Sequence, residues 1–171
     1  MVDLDQPVQF VKHRGFFNYS DLLQAVRNWF IDENFDLLDM PMYKQKFPGP
    51  TGTEHEFRMR GKKNITEYVK YDLEFSMRVY NLRDVEIIQD GKKIKVQDGQ
   101  IWVEIIPILI LDWQDRFKGS GPFAPFLKSL DEFYRKYIIK YTIGDYWEDM
   151  ILLKSLQLTR LIKEKLGQEV M

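Results

Sequence analysis

The residues able to do chemistry are few. The chain has two histidines, His13 and His55, and no cysteine. Two imidazoles make neither an HExxH motif nor a three-histidine metal centre. Without thiols there is no thiolate catalysis, disulfide, iron–sulfur cluster or cysteine-bound zinc. His55 alternates in phase with Phe57 and Met59, so it is expected as a core or edge histidine, not as a base or a pH sensor. Carboxylates pair along the chain as Asp112 with Asp115, Asp145 with Glu148, and Glu54 with Glu56. Such pairs do acid–base work only where their surroundings push the two pKa values apart. Asp145 and Glu148 have capping-box spacing and are read as a helix start. Glu104 lies between Trp102 and Ile106 on a semi-apolar strand face, where a carboxylate needs a basic partner. A salt bridge to a helix lysine or arginine is the expectation. Lys118-Gly119-Ser120-Gly121 lacks the GxxxxGK[ST] order of a phosphate loop and reads as a connector. No catalytic, metal-binding or cofactor-binding residue is assigned, and the balance leans against an enzyme.

Basic residues cluster at Arg58, Arg60, Lys62 and Lys63 and again at Lys92, Lys93 and Lys95. Both clusters fall near expected hairpins, where they could meet as one patch for an anionic partner. Lysines on outer strands also guard sheet edges against unwanted pairing. The net charge is −1 and the pI is about 6.2, with no basic excess of the kind that phosphate contacts reward. A nucleic-acid partner is therefore not expected. The start MVDLDQPVQF has no apolar signal core. The longest apolar run falls far short of the ~20 residues that span a bilayer. A soluble, cytoplasmic protein is expected, with no membrane span.

The elements that would position these residues follow from periodicity. With 171 residues, 44% of them hydrophobic and 15% aromatic, the chain can fill one α+β domain over residues 1–171. A short strand is expected at Pro7 to Lys12, a turn at Gly15 to Asn18, and a helix capped by Ser20 and stopped at Asn34. Leu37 to Phe47 reads as interrupted strand, Pro48 to Thr53 as a loop, Glu54 to Arg60 as strand, and Gly61 to Asn64 as a turn. From Glu67 to Tyr80 the alternation is strict. Val69, Tyr71, Leu73, Phe75, Met77 and Val79 take one face. Asp90-Gly91 and Asp98-Gly99 suit hairpin turns and would delimit strands Val85–Gln89, Lys92–Gln97 and Gln100–Leu111. Apolar stripes then mark two helices. The first carries Phe126, Leu127, Leu130, Phe133, Tyr134, Tyr137 and Ile138 and is broken by Thr142 to Gly144. The second begins near Asp145 and ends at Gly167, with Leu152, Leu153 and Leu156 widening its apolar surface. The expected fold is thus a six-stranded antiparallel meander, preceded by a strand and a helix and followed by two helices. That order resembles the helix-grip domains in topology only, with one helix instead of two after the first strand and an added C-terminal helix.

Ile101–Trp113 departs from one-sided alternation. Ile101, Val103, Ile105, Pro107, Leu109, Leu111 and Trp113 form one wholly apolar alternate set, the expected core face. Trp102, Ile106, Ile108 and Ile110 make the second face apolar as well, so it needs a cover of its own. The final helices, another copy, a protein partner or a ligand would supply it.

Gly15-Phe16-Phe17, Tyr68-Val69-Lys70, Asp84-Val85-Glu86 with Asp90-Gly91-Lys92-Lys93, and Asp112 ahead of Arg116-Phe117 carry a resemblance over most of the chain. It resembles a family of small uncharacterised α+β proteins of archaeal and related genomes. The resemblance implies a non-secreted setting and transfers no activity and no site residues. Two functions are carried forward. One is a non-enzymatic interaction or assembly protein that binds another copy or a protein partner through Trp102, Ile106, Ile108 and Ile110. The alternative is a carrier of an apolar small molecule in a cavity lined by Tyr71, Phe75 and Trp113.

Overall fold

Alternation decides the sheet, and the sheet decides everything packed on it. A computed structural model describes residues 2–38, 42–49, 52–89, 92–114, 124–133, 136 and 146–168. Val69, Tyr71, Leu73, Phe75, Met77 and Val79 are all buried, as their shared phase requires. They lie on β6 (Val69–Gln89), which pairs antiparallel with β7 (Lys92–Leu111). Ile101, Val103, Ile105, Leu109 and Leu111 of β7 are buried on the same side. The free side of β6 takes β5 (Gly52–Asn64). β5 in turn pairs with β3 (Asp36–Leu37) and β4 (Met42–Gly49) along successive stretches. The free side of β7 takes β1 (Val2–Asp5) and β2 (Gln9–Phe17) in the same way. The result is an open, antiparallel, seven-stranded sheet in the α+β class.

Helix α1 (Tyr19–Asp32) follows β2. Its N-cap is Asn18, whose Oδ1 accepts the Asp21 amide at 3.0 Å; Ser20 falls inside the first turn instead of capping it. Leu22, Val26 and Phe30 recur every fourth residue and are buried. Asn34, at φ 56°, ends the helix as expected. After β7 come α2 (Ala124–Phe133) and α3 (Glu148–Lys165). The proposed cap Asp145 lies outside the described residues. Gly167 closes α3 at φ +67°, where the Gln168 amide reaches back to the Lys163 carbonyl at 2.9 Å. Ile151, Leu158 and Ile162 of α3 share one core with Phe30 of α1 and Phe75 and Ile105 of the sheet. Both helices thus close the same sheet face. Lys154 to Glu33 (2.6 Å) and Lys165 to Asp21 (3.0 Å) tie α3 to α1 at its two ends.

Three expected turns are strand. β2 runs on through Gly15 to Phe17. β5 continues across Gly61–Asn64 because Gly61 makes room for a helix side chain: a Cβ there would stand 2.6 Å from Cδ1 of Phe30. The chain turns later, where Thr66 Oγ1 accepts the amides of Tyr68 and Val69. Asp98-Gly99 lies inside β7, opposite an irregularity between Tyr80 and Arg83 that includes Asn81 at φ 56°. Asp90-Gly91 itself lies outside the described residues, between the paired Gln89 and Lys92. The three strands expected from Val85 onward are therefore parts of two long ones. Their distal ends, 85–89 and 92–96, pair only with each other among the described residues and form a two-stranded arm.

The Phe30–Gly61 contact makes a direct prediction. Gly61→Ala inserts a methyl group into a closed helix–sheet contact and should cost about 2 kcal/mol, read as a lower urea midpoint. An unchanged midpoint would mean that Phe30 yields freely.

Candidate functional site

With α1 and α3 on one face, the other alternate set lies on the open face. Cross-strand register arranges it in rows. One row runs Lys12, Trp102, Arg78, Glu56, Lys44 across β2, β7, β6, β5 and β4. Its neighbour runs Phe10, Glu104, Ser76, Arg58. At about 4.8 Å between strands, the first row is roughly 19 Å long.

Phe10 (62% exposed) and Trp102 (47%) are diagonal neighbours across β2 and β7. Lys12 Nζ stands 4.7 Å from the Trp102 ring centre, and the Tyr80 ring meets Trp102 edge-on at 5.6 Å. Between the aromatics is a groove of about 460 Å³, lined also by Ser76, Arg78 and Glu104. A second groove of about 360 Å³ adjoins it across Arg78, among Lys44, Glu56, Arg58 and Tyr80. In the second groove, Glu56 Oε1 accepts from Arg58 at 2.7 Å and lies 3.8 Å from Arg78 Nε. The Arg58 hydrogen bond holds the Glu56 carboxyl below its ordinary value, helped by the charges of Arg58, Arg78 and Lys44. Glu104 is half-buried and forms no ion pair among the described residues. The expected salt bridge to a helix is absent because α1 and α3 pack against the opposite face.

The four expected interface residues separate. Trp102 is exposed, Ile106 and Ile108 are half-buried, and Ile110 is 5% exposed. Beside them the face is polar and closed. Asp72, in register with Ile108, is fully buried. Arg60 grips it through Nε at 2.7 Å and Nη2 at 2.5 Å while also meeting Glu74 at 3.0 Å. Lys62 stands 3.6 Å from Asp72. Phe10 was missing from the expected set. Its outward phase with Lys12 was legible in the sequence, but its pairing beside Trp102 was not. α2 turns Phe126, Leu130 and Phe133 outward, and α3 exposes Leu153 and Leu156.

The basic residues do not form one patch. Arg58 and Arg60 are engaged by acids, and Lys63 donates to the Glu33 carbonyl at the end of α1 at 2.7 Å. Lys92 and Lys93 pair with Gln89 and Ile88, roughly 40 Å along β6 from the Arg58 position. The cavity residues separate too. Tyr71 and Phe75 are packed in the core. The Tyr71 hydroxyl donates to the Trp147 carbonyl at 3.2 Å, and burial pushes its pKa up to about 12. Trp113 does not face inward with them. Asp112, at φ 51°, breaks the alternation, and Trp113 donates to Thr66 O at 3.0 Å with Lys70 Nζ 4.1 Å from its ring centre. His55 is half-buried, 3.0 Å from Thr53 Oγ1 and edge-on to Tyr19. His13 stacks edge-on to Phe17 and stands 3.4 Å from Gln168.

Among the described residues, no cluster of His, Asp or Glu could hold a metal ion, and no helix is long and apolar enough to cross a membrane. No protein-family model matches the chain, and no curated protein shows significant similarity to it.

Two predictions follow from these side chains. Removing Arg60 leaves buried Asp72 with only Lys62 at 3.6 Å, whereas removing the carboxylate leaves Arg60 partly exposed and still paired with Glu74. Arg60→Met should therefore cost about 3 kcal/mol and Asp72→Asn about 1 kcal/mol; chemical denaturation showing the reverse order would contradict this. His55 has its pKa lowered below 6.5 by burial. The unfolded chain then takes up the proton more readily, so stability is full above pH 6.5 and falls as pH drops through the lower folded value. His55→Gln should flatten that acid limb in urea titrations across the pH series.

Proposed function

We propose that this chain is a non-enzymatic interaction protein and that the open sheet face is where another protein chain docks. The observation that carries the reading is the exposed pair Phe10 and Trp102 flanking a charged groove, on a sheet whose other face is already closed. Large aromatics exposed side by side are enriched where proteins meet, and the surrounding Lys12, Arg78, Arg58 and Glu104 supply a polar rim. Half-buried Ile106 and Ile108 extend the apolar ground along β7. The resemblance to the small archaeal-type α+β family belongs to this proposal as its setting. Carriage of an apolar small molecule is the alternative reading. It has less support, because Tyr71 and Phe75 are already taken up in core packing.

Native mass spectrometry of the gently purified protein tests the reading. The expected spectrum shows the chain with an added protein mass, and Trp102→Glu sheds that mass while the variant stays folded by circular dichroism. A wild-type chain of bare mass would overturn the proposal. A discrete small adduct would favour the carrier instead.

A further inference from the structure

We infer that the occupant of the open face is a second copy of this chain, docked about a two-fold axis along the Phe10–Trp102 diagonal, with Lys12 of each protomer pairing with Glu104 of the other. The inference rests on the binding reading above and names its partner. The first ground is charge. The two grooves are lined by Lys12, Lys44, Arg58 and Arg78 against Glu54, Glu56 and Glu104. Near-balance of this kind suits neither a polyanion nor a strongly charged partner, and it does suit a surface that must match itself.

The second ground is the pattern of a four-residue block. Lys12 stands opposite Trp102, and Phe10 opposite Glu104, on neighbouring strands. Cation and carboxylate therefore occupy one diagonal, and the two aromatics the other. A two-fold axis lying in the face along the aromatic diagonal sets Phe10 on its own mate and Trp102 on its own mate. The same rotation carries each Lys12 position to within about 3 Å, in projection, of the other protomer's Glu104 position, an offset that the two side chains span. Of the in-plane axes through the block, only this one pairs opposite charges and like rings together. With strands about 4.8 Å apart and about 6.8 Å between same-face residues, the diagonal is inclined by roughly 35° to the strands, so the two sheets cross at about 70°. That lies near the orthogonal class of sheet packing.

The third ground is the state of the groups in the free chain. Glu104 has no ion pair among the described residues, although it is half-buried. Lys12 rests on the Trp102 ring, a contact it can exchange for a carboxylate without moving backbone. Docking through the neighbouring edge is obstructed, because Gln168 Nε2 already donates to the Lys12 carbonyl at 2.7 Å.

Charge exchange tests the inference on the full-length chain by sedimentation equilibrium. Lys12→Glu alone and Glu104→Lys alone should each weaken the dimer by about tenfold or more, since each sets like charges against one another. Mixing the two variants should give a heterodimer, because every cross-protomer pair is then of opposite sign. The double variant K12E/E104K should dimerise with itself. Phe10→Glu, at a largely exposed position, should also give a folded monomer by placing two carboxylates on the axis. A dimer unaffected by any of these changes, or single variants that stay monomeric on mixing, would overturn the inference. So would a wild-type chain that is monomeric but binds a different protein through Trp102; that result would leave the binding reading standing. A wild-type chain that is monomeric and binds no protein would defeat both.

Discussion

One constraint organises this molecule: a single alternate face of the β6–β7 pair has to be removed from water, and α1 and α3 together do it. Val69 to Val79 and Ile101 to Leu111 present an apolar surface of two neighbouring strands with no polar relief. Burying a side chain of that size contributes about 1.5–3 kcal/mol, so no arrangement that exposes this set competes. The helices answer with Leu22, Val26 and Phe30 from one side and Ile151, Leu158 and Ile162 from the other. The close approach of α1 then dictates Gly61, and the ion pairs at Lys154 and Lys165 fix how α3 lies against α1. Once both helices are committed there, the opposite face is left to settle its own charges.

That face settles them unevenly. Around Asp72 the solution is internal. One carboxylate is fully buried and held by a bidentate arginine, with Glu74 and Lys62 completing the cluster. Such a cluster adds little net stability over an apolar replacement, yet loss of the arginine strands a buried carboxylate. At Trp102 and Phe10 the solution is incomplete. Lys12 uses a ring instead of a carboxylate, and Glu104 has no ion pair among the described residues. The two ends of one face thus differ in how their charges are met, and apolarity alone does not predict exposure, since Ile110 is apolar and still buried.

Periodicity made the α+β class, the inward face of β6 and the three helices legible before any coordinates. Glycine was ambiguous. It marks turns because it accepts positive φ, and it marks close approach because it lacks a Cβ. Gly61 and Gly99 belong to the second kind, and only Phe30 and the Tyr80 carbonyl, distant in sequence, distinguish them. Trp113 was misplaced for a related reason: one left-handed residue, Asp112, ends the alternation that phase-counting assumes. Glu104 was expected to find a helix because its strand face looked semi-apolar, and nothing in the sequence says which face the helices choose. Phe10 was invisible as a site residue because the register of β2 on β7 sets its neighbours.

The alternation also separates the packed set from the solvent-facing set along the chain. Lys12 is followed by an outward-facing arginine two residues on and preceded by buried Val11; Trp102 and Glu104 are flanked by buried Ile101, Val103 and Ile105. Each of these outward residues is therefore anchored by neighbours that belong wholly to the core. Its backbone position is fixed by the packing of the inward set, and its side chain is free of that packing. Substitutions on the outward set act on contacts that share no partners with the core, so their effects on folding and on docking add independently. A sheet closed on one side thus supplies a rigid, preorganised platform, and docking on it costs little backbone ordering.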